Sequence, residues 1–239
     1  MRFRSKLAAL VPSLVSSLAA AFLVSAHVLA ELPNGVVPVA AEPSHKIRFD
    51  NGRIRVYEVL LSAGEQTLFH QHSADSVTLA FARTHIRNEF YEAASMGLDV
   101  RPQDIGYTST EAGPYSHRVV VDGDQSFHVM AVELMSSVGT SANTLLRDDA
   151  VFRLEQDKPR ARVYLMKLAP GQSTPTYNRH SGTFVVAMTP GRISRNYADG
   201  VKQLWDFEAA DARWVAQKEQ LMIRNESDHD VELVEIEVY

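Results

Sequence analysis

Residues 64–72 read GEQTLFHQH, and the two histidines that close this stretch, His70 and His72, are the side chains in the chain best suited to chemistry. Strand side chains alternate faces, so two histidines one residue apart on a strand point to the same side, a few ångströms from each other. Neutral imidazole binds zinc, iron, copper and nickel. Turned into a closed interior, the pair would form part of a metal site or of a polar pocket without metal; turned outward, it would be two unrelated surface residues. Other chemistries find less support. No Ser-His-Asp spacing, phosphate-cradling glycine loop or paired-carboxylate motif appears, so neither hydrolase nor nucleotide chemistry is expected. The chain has no cysteine among its 239 residues, which removes thiolate chemistry, disulfides and a lipid-bearing cysteine.

The elements that must position these histidines are short strands. RVYEVLLSAG at 55–64 and RVYLMKLAPG at 162–171 are near copies, each an apolar strand that runs into a turn glycine. HVMAVEL at 128–134 and VELVEIEV at 231–238 repeat the same relation at the far end, preceded by the polar turns DGDQS and NESDHD. The chain therefore reads as a unit written twice, 46–135 and 150–239, joined by SSVGTSANTLLRDD. Strands are expected at 54–61, 66–72, 76–82, 85–91, 117–121 and 127–134. In the second unit they are expected at 161–168, 183–188, 192–197, 219–224 and 231–238, with one helical turn in the chain at 92–99. Many short strands between turns imply an all-β sandwich or barrel with Greek-key or jelly-roll connections. Each unit is small, so burying a face against its twin is a natural way to enlarge the core.

The first thirty residues stand apart. Arg2, Arg4 and Lys6 precede a run from Leu7 to Leu29 whose one ionisable side chain is His27, and Val28-Leu29-Ala30 offers small residues for cleavage. This is the pattern of a secretory signal peptide. The run is also long enough for a membrane anchor, but Pro12 and the serines at 13, 16, 17 and 25 suit a permanent span poorly. Without residues 1–30 the chain carries 21 bases against 29 acids, a net charge near −8. No basic block remains to neutralise a phosphate backbone, so nucleic acid is not an expected partner. The reading is a periplasmic or secreted protein with no stable membrane span after processing.

With these elements placed, the sequence resembles the cupin family. The carriers are RIRVYEVLLSAGEQTLFHQH, with Gly64 five residues ahead of His70-x-His72, and AGPYSHRVVVDGD, which contains His117 and is similar to the second cupin motif. The resemblance covers nearly all of 46–239 and implies two tandem cupin-type jelly-roll β-barrels. It further implies that His70, His72 and His117 meet inside the first barrel and bind one divalent transition metal (Fe, Zn, Mn or Ni). Tyr115 and Ser76 would then stand near a small-molecule substrate. Cupin barrels commonly pair through sheet edges, so a homodimer is compatible, although two barrels in one chain can meet that need internally.

The departures from the pattern matter as well. A cupin site usually carries a carboxylate four or five residues after the second histidine, and Ser76 and Val77 occupy those positions. Asp75 is adjacent, but one residue of shift on a strand reverses the face. In the second unit, alignment of Gly64 with Gly171 sets Tyr177 against His70, Arg179 against His72 and Gln220 against His117, which makes no metal site. His180 reads as an exposed loop residue. His85 lies opposite the face shared by Ile86, Asn88 and Phe90, and His128 also points outward. Trp205 and Trp214 read as core or interface anchors. The acids of VELVEIEV read as a solvated strand face. Two function classes stay open: a metal-dependent oxygenase, lyase or isomerase of small molecules, and a non-catalytic binding or scaffold protein with a vestigial metal site. No general base is identifiable.

Overall fold

The computed structural model describes residues 32–135, 146, 147, 149–180 and 182–239. The expected leader and most of the connection at 136–149 lie outside these residues. The described chain is all-β, and its strands form four sheets, two from each half of the sequence.

In the N-terminal half one sheet holds, from edge to edge, β1 (Val37–Pro38), β4 (His70–His72), β9 (Tyr115–Val121), β6 (Thr84–Phe90) and β7 (Met96–Val100). The facing sheet holds β2 (His45–Asp50), β3 (Ile54–Leu61), β10 (Phe127–Leu134), β5 (Ser76–Ala80) and β8 (Ile105–Thr108). The C-terminal half repeats the plan. Its first sheet runs β11 (Phe152–Asp157), β12 (Ala161–Leu168), β19 (Val231–Val238), β14 (Thr183–Ala187) and β17 (Ala212–Val215). Its second runs β13 (Tyr177–Arg179), β18 (Glu219–Asn225), β15 (Gly191–Tyr197) and β16 (Lys202–Phe207). Neighbours in these sheets are antiparallel, apart from the short parallel pairing of β1 with β4.

The central strands are apolar on both faces because both faces are covered. On β10, Phe127, Val129 and Ala131 look into their own half, while Met130, Val132 and Leu134 face the other half. On β19, Val231 and Leu233 look inward and Val234, Ile236 and Val238 outward. The outward faces of these two sheets meet in one shared core that also takes in Ile54, Leu79, Val163 and Phe184. Each half thus buries a face against its twin, as its small size requires. Trp205 packs inside the C-terminal half, whereas Trp214 sits at the junction, its ring 6.3 Å from that of Phe49.

Two expectations are corrected. EAASMGLD at 92–99 is not a helical turn: Met96–Val100 forms β7, an edge strand paired with β6 from Asn88↔Met96 to Thr84↔Val100. Its side chains are mostly exposed, so it lacks the apolar alternation that marks a strand in sequence. The acids of VELVEIEV are not solvated either, since Glu232, Glu235 and Glu237 are all buried. Glu235 accepts hydrogen bonds from the Tyr177 hydroxyl (2.7 Å) and Arg179 Nε (3.0 Å), and Arg147 Nη1 lies 2.7 Å from its other oxygen. Burial would raise this carboxyl, but Arg179 and Arg147 bring it down to about 2. Strands β1, β2, β8, β11, β13, β16 and β17 are likewise absent from the strands expected from the sequence. No helix among the described residues is long and apolar enough to cross a membrane.

Candidate metal centre

The site begins at Gly64, whose positive φ of 80° turns the chain out of β3, a conformation glycine adopts without steric cost. The return path is then fixed by Thr67. Its amide donates to the Val119 carbonyl (3.0 Å), and its hydroxyl accepts from the Val119 amide (2.9 Å). This clamp sets the register that follows, in which His70 pairs directly with His117 and His72 with Tyr115. Directly opposed residues of an antiparallel pair share a face, so all four side chains look the same way, into the N-terminal half.

His70 and His72 are buried and His117 is half-buried. One ring nitrogen from each lies within 4.8 Å of the others. Among the described residues this is the group of histidines and acids with a metal-binding arrangement. The second nitrogens are held from outside the cluster. His70 Nδ1–H donates to the Leu68 carbonyl (2.9 Å) and His117 Nδ1–H to Asn88 Oδ1 (3.3 Å), which leaves Nε2 of both rings with a free lone pair. His72 Nδ1 stands 3.4 Å from Oε1 of the buried Glu133, whose other oxygen accepts from the Tyr57 hydroxyl (3.1 Å). Burial, followed by repulsion from the neighbouring rings, drives His117 to about 2; burial holds His70 at about 4. Both rings are therefore neutral at physiological pH, the form that binds metal. Three converging imidazoles, two of them with their outer nitrogens tethered by hydrogen bonds, fit a single divalent transition ion.

These rings line a cavity of about 560 Å³, within the size range of small-molecule sites. Ser76 and Tyr115 line it too. The Tyr115 ring stacks on His72 at 5.0 Å, and its hydroxyl is engaged by Thr108 and Ser76. Burial raises that hydroxyl to about 12, so it keeps its proton. Asp75 does not join the cluster. It is turned away and accepts from the Tyr107 hydroxyl (2.6 Å), the Thr110 amide (2.7 Å) and the Thr110 hydroxyl (2.9 Å). His85 points outward to Asp99 (2.7 Å), and His128 lies against Glu58 at 2.9 Å, away from the centre.

Two site residues escaped the sequence reading. His45, on β2, pairs with Val59, a cavity residue, and so faces inward; its ring stands 4.5 Å edge-on to His70, with Nδ1 buried and unpartnered. No local spacing announces it, because its direction is set by β3. Glu133 was legible: in HVMAVEL it continues the inward stripe of Val129 and Ala131.

The C-terminal half repeats the clamp with Thr174 and Ile223: amide to carbonyl 2.8 Å, amide to hydroxyl 2.9 Å. Tyr177 and Arg179 accordingly stand where His70 and His72 do. The residue paired with Tyr177 is Leu221, which takes the place of His117; Gln220 pairs with Asn178 and points outward, one position off the sequence alignment. The interior here is filled by apolar side chains and by Arg147 and Arg179 bound to Glu235.

No family profile matches the sequence, and no curated protein matches it. Solved structures do. The chain is similar to AerE from Microcystis aeruginosa, with 14% identity and a TM-score of 0.56 over 83% of this chain and 98% of that one. It is similar to a variant of oxalate decarboxylase from Bacillus subtilis, with 11% identity and a TM-score of 0.55 over 81% and 75%. A cupin 2 conserved barrel domain protein from Leptotrichia buccalis follows, with 12% identity and a TM-score of 0.50 over 81% and 88%. At these identities the likeness concerns the fold alone: a multi-domain all-β architecture built from two sets of antiparallel sheets.

Proposed function

We propose that the chain is an exported protein of two jelly-roll barrels whose first binds one divalent transition metal through His70, His72 and His117 and acts on a small molecule in the adjoining cavity. The reaction class is that of an oxygenase, lyase or isomerase. One observation carries this reading: three imidazoles converge within 4.8 Å on the wall of a cavity large enough for a substrate.

The residues divide the work by position. Leu68 and Asn88 hold the outer nitrogens of His70 and His117 by hydrogen bonds, and Glu133 stands 3.4 Å from the outer nitrogen of His72. Tyr115 keeps its proton and offers a hydroxyl, in a wall it shares with Thr108 and Ser76, to a substrate oxygen. A bound ion supplies Lewis acidity and, for a redox-active metal, one-electron chemistry. Among the described residues no acid joins the three histidines, so a bound ion would keep its full charge.

A non-catalytic binding protein is the second reading, and one observation favours it. The buried carboxylates nearest the cavity are committed, Glu133 to Tyr57 and His72, and Asp75 to Tyr107 and Thr110, which leaves neither as a general base. Export is supported by the basic, apolar and small-residue sequence of 1–30 and by the absence of cysteine; amino-terminal sequencing of the mature protein checks it. Metal content by mass spectrometry, on protein from its native compartment and on the His70→Ala, His72→Ala variant, tests the main reading. One ion per chain, lost in the variant, is expected; equal, near-zero metal in both ends it.

A further inference from the structure

The cavity wall is short of positive charge. Among the described residues no lysine or arginine lines it, and the one acid that does, Asp104, is exposed at the rim. The polar groups near the histidines are uncharged: Tyr115, Ser76, Thr108 and Asn88. Farther out the wall is apolar, with Ile86, Phe90 and Val100 from the sheet that carries the histidines and Val129 from the facing sheet. The mouth is apolar as well. Met96 and Leu98 line the cavity from the edge strand β7 while remaining 51% and 43% exposed. Two large apolar side chains on the edge strand thus give the opening an apolar lip.

From this distribution we infer that the site takes an amphipathic molecule with one oxygen-donor head group, such as a monocarboxylate, phenol or enolisable ketone, and an uncharged hydrocarbon body that runs from the histidines toward the Met96–Leu98 lip. The inference rests on the metal reading above and adds the substrate class. Any charge on the ligand belongs at the ion, the one place where a positive charge is available. A second charged group at the far end would lie against apolar side chains with no counter-charge among the described residues, an arrangement that penalises binding.

The test uses the full mature chain loaded with zinc and two probes of one shape, para-toluate and terephthalate, which differ in a methyl group or a second carboxylate at the far end of the ring. Zinc per chain is measured by mass spectrometry, and dissociation constants by calorimetry. Para-toluate should bind at least tenfold more tightly. Leu98→Arg, a change at an exposed position, should narrow that ratio severalfold by giving the far carboxylate a partner. Equal affinities, tighter binding of terephthalate, an unchanged ratio in Leu98→Arg, or no binding of either probe at one zinc per chain would overturn the inference. A chain that retains no zinc fails earlier, at the metal reading, and the metal measurement tells the two failures apart.

Discussion

Glu235→Gln is the substitution whose cost follows most directly from the structure. The side chain is 0% exposed and stands between the Tyr177 hydroxyl, Arg179 and Arg147. Its carboxyl is carried from 4.5 to about 2, which at about 1.4 kcal/mol per tenfold is worth roughly 3 kcal/mol at neutral pH. Breaking a buried pair costs about 3–5 kcal/mol, because the partner charge is left uncompensated. Here the lower end applies: Arg179 keeps Glu219 at 3.0 Å and Arg147 keeps Glu237 at 2.7 Å. For a chain of this size about 3 kcal/mol lowers Tm by roughly 6–12 °C. The sign of the pH dependence follows from the depressed pKa. The stabilisation is full above about 4.5 and disappears as pH falls through about 2. Thermal unfolding of both proteins at pH 7 and pH 3 therefore has two expected features, a large gap at pH 7 and a smaller one at pH 3. A Tm within 2 °C of the wild type, or a gap that does not shrink on acidification, refutes the reasoning.

Phe184→Ala removes a ring from the shared core, where it stacks on Phe49 at 6.0 Å, and should cost about 3–5 kcal/mol in urea unfolding. A cost below 1 kcal/mol would show that the two halves do not depend on this packing. Glu133→Gln keeps the shape and an acceptor for Tyr57 but weakens the hold on His72, so metal affinity should drop about 10–100-fold in chelator competition with the fold unchanged. Unaltered affinity would remove Glu133 from the account.

The parts of the fold legible in sequence are those in which burial alone decides the pattern. Strands 54–61, 127–134, 161–168 and 231–238 are found at those bounds, since each lies at the centre of a sheet and shows its apolar faces openly. β7 was illegible because an edge strand satisfies hydrogen bonds to β6 without burying a face. The acids of β19 misled for a different reason. Alternation of acid and apolar residues is the mark of a solvated strand, and the arginines that make burial tolerable here, Arg147 and Arg179, are 88 and 56 residues distant. In the site, His70 and His72 declare themselves by spacing on one strand and His117 by a motif. His45 reaches the cavity only through the register of β2 on β3, which no local spacing encodes. Gln220 was one position off because the Thr174–Ile223 clamp, not sequence similarity, fixes the register and sets Leu221 opposite Tyr177.

The central claim is that a single ion sits among three particular imidazoles, and diffraction at a metal absorption edge tests it most directly. Crystals of the mature protein grown with zinc should give one anomalous peak about 2.0–2.1 Å from a ring nitrogen of each of His70, His72 and His117. A peak elsewhere, or none at saturating zinc, would contradict it.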